Sequence, residues 1–250
     1  MVGDIIRQLT LFNDDSDNMI IDSFDEKRVS YRKKYYNKLK NKNFGFSYDK
    51  RVTKSGKYGF PLIKPYLDDI PQNFVSLGDI KKVYSINSCV TGFEYDYVLD
   101  NLWYKYNDYL PVLLNYMCVC NPDFSMYVDC SIATQISNKL RSHEIAYKLQ
   151  ENGIQIMPCI SWSSTRSYDF CFEGFSKGGV VIVSSIGTLK NEISQLYFKN
   201  GFLEMLNRLS PDSVILYGDA LYNMDSWRPK ELEIKFVKNY RLERARKHGK

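Results

Sequence analysis

Residues 116–125 read YMCVCNPDFS, an apolar run that ends in a polar turn containing proline. The same change of character recurs at GIQIMPCISW (153–162), VVIVSSIG (180–187) and VILYGD (214–219). Long helical stretches at 131–152 and 189–208 lie between these runs. Near-continuous apolar strands alternating with amphipathic helices indicate parallel pairing with both faces covered. The pattern predicts an α/β fold of about six strands. Its expected form is an irregular or incomplete (β/α) barrel-like single domain with largely parallel strands, a basic N-terminal helix and a basic C-terminal tail. An open doubly wound sheet fits the same pattern. The barrel-like form is preferred because the strand ends are polar and aromatic rather than glycine-rich.

The helix at 131–152 is the clearest. Ser131 suits its cap, Ile132, Ile136, Leu140, Ile145 and Leu149 form an apolar stripe, and Gly153 stops it. In the helix at 189–208, Ile193, Leu196, Tyr197, Met205 and Leu206 are apolar, and Gly201 interrupts them for close packing. Pro158 should end its strand, because it cannot donate to a central ladder. Further strands are expected at 73–77, 82–86 and 231–237, and a hairpin at SGKYG (55–59). Helices are expected at 92–103 and just beyond, with Pro111 near the start of the second.

The chain has 250 residues, of which 44% are hydrophobic and 25% charged, as in an ordinary globular protein. Tyrosine is abundant, with 20 residues, which suits partly buried contact surfaces. Charge is segregated. Residues 25–57 hold 12 basic and 3 acidic residues, and residues 228–250 hold 9 and 3. The stretch 58–227 is net acidic by 6 and residues 1–24 by 4. Three regions are therefore expected: an acidic arm with a basic helix and loop (1–57), an α/β core (58–227) and a basic tail (228–250). A helix over 25–42 interleaves Lys27, Arg28, Arg32, Lys33, Lys34 and Lys38 with tyrosines, and the tail carries Arg244, Arg246 and Lys247. Such cations can meet phosphates while rings stack on bases. A surface helix whose tyrosine face packs on the body accounts for the first group somewhat better, and solvated basic ends are common in chains that bind nothing.

No apolar run approaches the ~20 residues of a membrane span, and the N-terminus lacks the layout of a secretory signal. No membrane partner and a cytoplasmic location in a bacterial host are expected. The six cysteines fall mostly in apolar strands, which favours reduced, buried thiols. Cys118 and Cys120 share a strand face, but no C-x-x-C occurs and only two histidines are present, so no metal site is expected. The sequence specifies no cofactor and no oligomeric state.

Several spaced motifs occur together in order: Glu94-Tyr95-Asp96 through Trp103, Asn121-Pro122-Asp123-Phe124-Ser125-Met126-Tyr127, Asn138-Lys139-Leu140-Arg141, Gly153-Ile154 through Pro158 and Trp162, Ser167 through Gly174, Ser184 through Gly187, Gly201 through Met205, and Leu216-Tyr217-Gly218. Over about residues 58–220 the chain resembles domain-of-unknown-function family four-four-one-seven, found in bacteria, phages and mobile elements. The resemblance implies a mobile-element context and one catalytic or binding core. It assigns no activity.

Sites in parallel α/β folds form at the carboxyl ends of strands. That rule singles out Asp123 and Ser125, then Ser161 and Trp162, then Ser185 and Gly187, then Tyr217, Gly218 and Asp219. Asp123 and Asp219 are candidate catalytic carboxylates for a glycosidic or N-glycosidic bond, although both also suit turns and caps. Trp162 can stack on a sugar or base. Asn138 and Arg141 share a helix face, and Arg141 can reach a phosphate or brace a loop carboxylate. His143 reads as a surface or packing residue rather than a base. Three functions remain open on these grounds: nucleic-acid association through the flanks with a core pocket at the strand ends, a (β/α)-barrel-like enzyme on a nucleotide or sugar with Asp123 as key carboxylate, and a host-partner-binding protein.

Overall fold

The computed structural model describes residues 52–81 and 86–239. The expected basic helix at 25–42, all but the last residue of the strand expected at 82–86, and the cations Arg244, Arg246 and Lys247 lie outside the described residues.

A small hairpin comes first. β1 (Lys54–Ser55) pairs antiparallel with β2 (Phe60–Pro61) around Gly56 and Gly59. Seven parallel strands follow. β3 (Asn73–Ser76), β4 (Ser88–Thr91), β5 (Cys118–Cys120) and β6 (Ile156–Met157) form one sheet in that order. β7 (Val180–Ser184), β8 (Ser213–Tyr217) and β9 (Glu233–Val237) form another. The two join at a parallel bridge between Cys159 and Ile182. There Ile182 donates to Pro158 O (2.9 Å) and Ile160 to Ile182 O (2.9 Å). Pro158 indeed ends β6: it lends a carbonyl where it has no N–H to give. Spatial order thus equals chain order across all seven strands. Among the described residues no ladder joins β9 back to β3, so the sheet is not closed. The two edges meet through a side chain, with Lys235 Nζ donating to Pro71 O (3.0 Å).

Alternation along the strands sorts side chains into two cores. Cys89, Cys118, Cys120, Met157, Cys159, Ile182, Ile215 and Tyr217 line one face and surround Tyr66, which is fully buried. Val90, Val119, Ile156, Val181, Val183, Val214 and Leu216 face the helices. Those helices are α1 (Asp96–Tyr104), α2 (Tyr106–Leu113), α3 (Ile132–Glu151) and α4 (Glu192–Leu209). Leu99, Leu149, Phe202 and Met205 are among the residues they bury. Each such side chain contributes roughly 1.5–3 kcal/mol.

Local chemistry explains the helix bounds. Ser131 caps α3 by accepting from Thr134 N (3.1 Å), and Gly153 follows its end at φ 81°. Asn191 caps α4 through Ser194 N (2.9 Å), so α4 starts three residues later than expected, after a turn at Thr188–Lys190. α1 also starts later, because Glu94 is held by Ser76 Oγ and Gly78 N and Tyr95 stays extended. Pro111 is the sixth residue of α2 rather than near its start. Its missing N–H leaves the carbonyl four residues back without its helical donor, and the helix ends two residues on. β4, all four residues buried, was not expected from its SCVT sequence.

Candidate functional site

The carboxyl ends of β5 and β6 converge through one buried amide. Asn121, just after β5, donates from Nδ2 to Cys159 O (2.9 Å) and accepts from Cys159 N at Oδ1 (2.6 Å). Its Nδ2 also donates to Ser142 Oγ (3.0 Å), and Ser142 Oγ donates to Pro122 O (2.5 Å). β4 is drawn in as well, because Asp123 N donates to Gly92 O (3.2 Å). A Cβ on Gly92 would lie 2.9 Å from the Pro122 backbone, so only glycine permits that approach.

Asp123 is half-buried on this rim. Burial pushes its carboxyl up to about 6, against the opposing pull of the Ser161 hydroxyl and the Lys139 ammonium, and Asp96 nearby adds to the rise. Lys139 reaches the rim from α3 and is 3% exposed. Burial pulls its ammonium down to about 8, opposed by Cys171, Cys159 and Asp123. Its Nζ lies 4.0 Å from the centre of the Phe175 ring.

α3 turns a polar face inward. Gln135, Lys139, Ser142 and His143 are buried, while Ile132, Ile136 and Leu140 are only partly so. Gln135 accepts from Ser163 Oγ (2.7 Å) and donates to Tyr127 O (3.0 Å) and Cys130 O (3.2 Å). It therefore ties the loop after β5 to the loop after β6. His143 stacks on Phe60 and lies tilted against Phe175, with Nδ1 2.9 Å from Pro61 O, and its Nε2 has no partner among the described residues. Burial holds its imidazole well below the usual histidine range, and Lys139 adds to this. Of the two roles the sequence left open, surface and packing, His143 takes the second. It does so inside the molecule.

The other expected site residues divide. Ser125 donates from N and Oγ to Asp96 Oδ1 (3.0 Å each), and Asn138 Nδ2 donates to Ser125 O (2.7 Å). Ser125 lies two residues past Asp123 in the loop after β5, and Asn138 ties that loop to α3. Arg141 pairs with Asp100 and lies over the rings of Phe124 (4.0 Å) and Trp103 (5.3 Å), a bracing role. Ser161 borders Asp123. Trp162 donates from Nε1 to Tyr197 O (3.1 Å) and packs on α4 at Gly201. Tyr217 stacks on Phe93 at 4.7 Å in the inner core. Asp219 is exposed, its carbonyl taking the Ser185 hydroxyl (2.6 Å). β6 and β7 separate its strand from that of Asp123. The acidic neighbour acting on Asp123 is instead Asp96, the residue that sequence reasoning missed. Lys139 was missed too, because a lysine on a helix reads as solvated. Among the described residues no group of three or more His, Cys, Asp or Glu side chains is disposed to hold a metal ion.

Comparison with known proteins adds a context. The "Gene 1 protein" of Mycobacterium phage D29 is 31% identical over 138 residues, 55% of this chain and 51% of the phage protein. The "Gene 1 protein" of Mycobacterium phage L5 is 28% identical over 138 residues, 55% of this chain and 60% of the phage protein. The aligned part thus spans about half the length of these relatives. No solved structure shows a significant match. The profile of the family described as "Domain of unknown function (DUF4417)" matches residues 52–235, well over half the chain and the whole of the strand-end site. The chain belongs to that family of unknown function, and its relatives are phage proteins.

Proposed function

We propose that this phage-type domain associates with nucleic acid through its basic flanks and carries an acid–base site at the strand ends of its core. Asp123 is the key carboxylate of that site. The reaction class is cleavage of a glycosidic or N-glycosidic bond in a nucleotide or sugar. The observation that carries this reading is the burial of Asp123 beside Lys139 at the junction of β5 and β6. A carboxyl titrating near 6 keeps a protonated fraction near neutral pH and suits proton donation to a leaving group. Unlike charges whose environments draw them toward neutrality gather at working sites more often than at structural ones. Ser161 borders Asp123, Ser125 shares its loop and Asn138 ties that loop to α3; these three would orient the substrate, with Asp219, Trp162 and Tyr217 further along the same series of strand ends.

Three further observations support the reading. The monotonic strand order, the separate inner core and the contact between Lys235 and Pro71 favour the incomplete barrel, whose strand ends form one rim. The flanks carry net charges of +9 over 25–57 and +6 over 228–250, the sign that phosphate backbones attract. All six cysteines are free and five are buried, which suits the reducing interior of a bacterial host.

The test is release of free base from nucleosides, nucleotides and single-stranded oligonucleotides, followed by chromatography. Wild type should release base and Asp123→Asn should not, with an unchanged circular dichroism spectrum. Equal release by both proteins, or by neither, would refute the enzymatic part. Separately, oligonucleotide affinity should fall steeply with salt, and deleting 25–42 and 241–250 should remove most of it.

A further inference from the structure

We propose that the stacked pair Tyr95 and Tyr97 is a base-binding platform that holds an unpaired nucleobase at the rim carrying Asp123. The inference rests on the acid–base reading of Asp123 above and names the part of the substrate that the rim holds.

Tyr95 and Tyr97 stand at the start of α1, 72% and 69% exposed. Their ring centroids are 5.6 Å apart and the planes lie 10° from parallel. Neither residue joins a hydrophobic core. A single exposed aromatic residue needs no explanation, but two stacked together leave a flat apolar face to water. Hydrogen bonds fasten this face to the site. On one side Gly92 O takes the amide of Asp123 (3.2 Å), and on the other Asp96 Oδ1 takes Ser125 N and Oγ (3.0 Å each). Tyr95 lies between those two ties, so its segment is bound at both ends to the loop of Asp123. Glu94 is fixed in turn by Ser76 Oγ and Gly78 N. The pair therefore stands on a braced stretch of chain, next to the Asp123 loop and open to solvent.

The surroundings select the ligand. Residues 86–104 contain no lysine or arginine but do contain Glu94, Asp96 and Asp100. Arg141, which reaches this region from α3, is paired with Asp100. Such a surface repels phosphate and leaves a neutral ring as the group to be held. Every base offers a π-face, and stacking on an exposed aromatic ring needs no enclosing pocket. Because the two rings are already stacked on each other, a base adds to the end of the stack rather than entering between them. The tyrosines thus take the stacking role that Trp162 does not fill, its indole being packed on α4. The phosphates of a strand so bound are left to the cations of the basic flanks.

The experiment is an NMR titration of the full chain, with isotope-labelled tyrosine rings, against adenosine, adenosine monophosphate and D-ribose. Tyr95→Phe and Tyr97→Phe assign the two ring signals by their absence. Adenosine should move both signals upfield, as a base stacked on the rings does. Tyr95→Ala and Tyr97→Ala should each weaken adenosine binding about fivefold or more, whereas the phenylalanine variants, which keep a ring, bind as wild type does. Adenosine monophosphate should bind more weakly than adenosine, and the gap should narrow as salt is added. Circular dichroism verifies the fold of each variant. No shift at the solubility limit of adenosine, equal affinity in the alanine variants, or ribose binding as tightly as adenosine would overturn the proposal. Tighter binding of the monophosphate would overturn it as well. Adenosine binding without base release would remove the reaction and leave the platform standing. Base release that depends on Asp123 but is unchanged in the alanine variants would remove the platform and leave the acid–base reading standing.

Discussion

The side chain of Asn121 and the backbone of Cys159 hold each other by two hydrogen bonds, 2.9 Å from Nδ2 to the carbonyl and 2.6 Å from the amide to Oδ1. Past the end of β5 this amide does what a strand backbone would do, and it fixes where Asp123 and Ser161 emerge. Asn121→Ala leaves a buried N–H and C=O of Cys159 without partners. Each orphan costs about 1–3 kcal/mol, so the variant should lose about 2–6 kcal/mol in urea unfolding. Asn121→Asp keeps the acceptor and loses the donor, and should fall between the two.

Asp123→Asn should stabilise the fold in a pH-dependent way. The folded carboxyl is raised from 3.8 to about 6. The folded state therefore binds the proton more tightly than the unfolded state. Ionisation costs nothing below about 4, its cost grows between about 4 and 6, and it is fully present above about 6. At 1.36 kcal/mol per unit the upper bound is about 3 kcal/mol. The gain in melting temperature for Asp123→Asn should be clear at pH 7.5 and absent at pH 3.5. An equal gain at both values would mean that burial of the charge is not the cause.

His143 should make the fold acid-labile. Its imidazole is held below the usual value, so the neutral form is the one that fits. The stability this gives is present above about 6.5 and is lost as pH falls. The midpoint of acid unfolding should move to lower pH in His143→Gln, provided the variant folds at neutral pH. An unchanged or higher midpoint contradicts the reading.

Gly201 tests the helix layer. Alanine in place of glycine inside a helix normally gains about 1 kcal/mol. Here a Cβ would lie 2.1 Å from Trp162 Nε1 and 2.2 Å from its Cδ1. Overpacking of that kind costs about 1–3 kcal/mol. Gly201→Ala should therefore lower the melting temperature and shift tryptophan emission to the red. A rise in melting temperature would show that the indole moves aside freely.

Much of the fold was legible because period and punctuation carry it. Ser131, Gly153 and the apolar residues between them locate α3, and the runs at 180 and 214 locate β7 and β8. β4 was not legible, because four short, partly polar residues become a strand only when neighbours on both sides bury them. The site was half legible. Strand-end reasoning named Asp123, Ser125 and Ser161, which lie in the loops after β5 and β6. It also proposed stacking on substrate for Trp162, whose indole instead packs on α4, and it paired Asp123 with Asp219, which stands on a distant strand end. Lys139 and Gln135 escaped for a physical reason. A stripe of Ile132, Ile136 and Leu140 marks the apolar side of α3, yet those residues form the flank of the contact and the polar side faces inward. Hydrophobic periodicity cannot reveal a buried polar face, because the chain gives up stability there.

The account turns on Asp123 and Lys139 sharing one desolvated electrostatic environment. The most direct measurement is an NMR titration of the Asp123 carboxyl carbon in wild type and in Lys139→Met. A midpoint near 6 in wild type is expected, rising further in the variant because the opposing ammonium is gone. A midpoint near 4, the value of an ordinary aspartate, and indifferent to Lys139, would contradict the account.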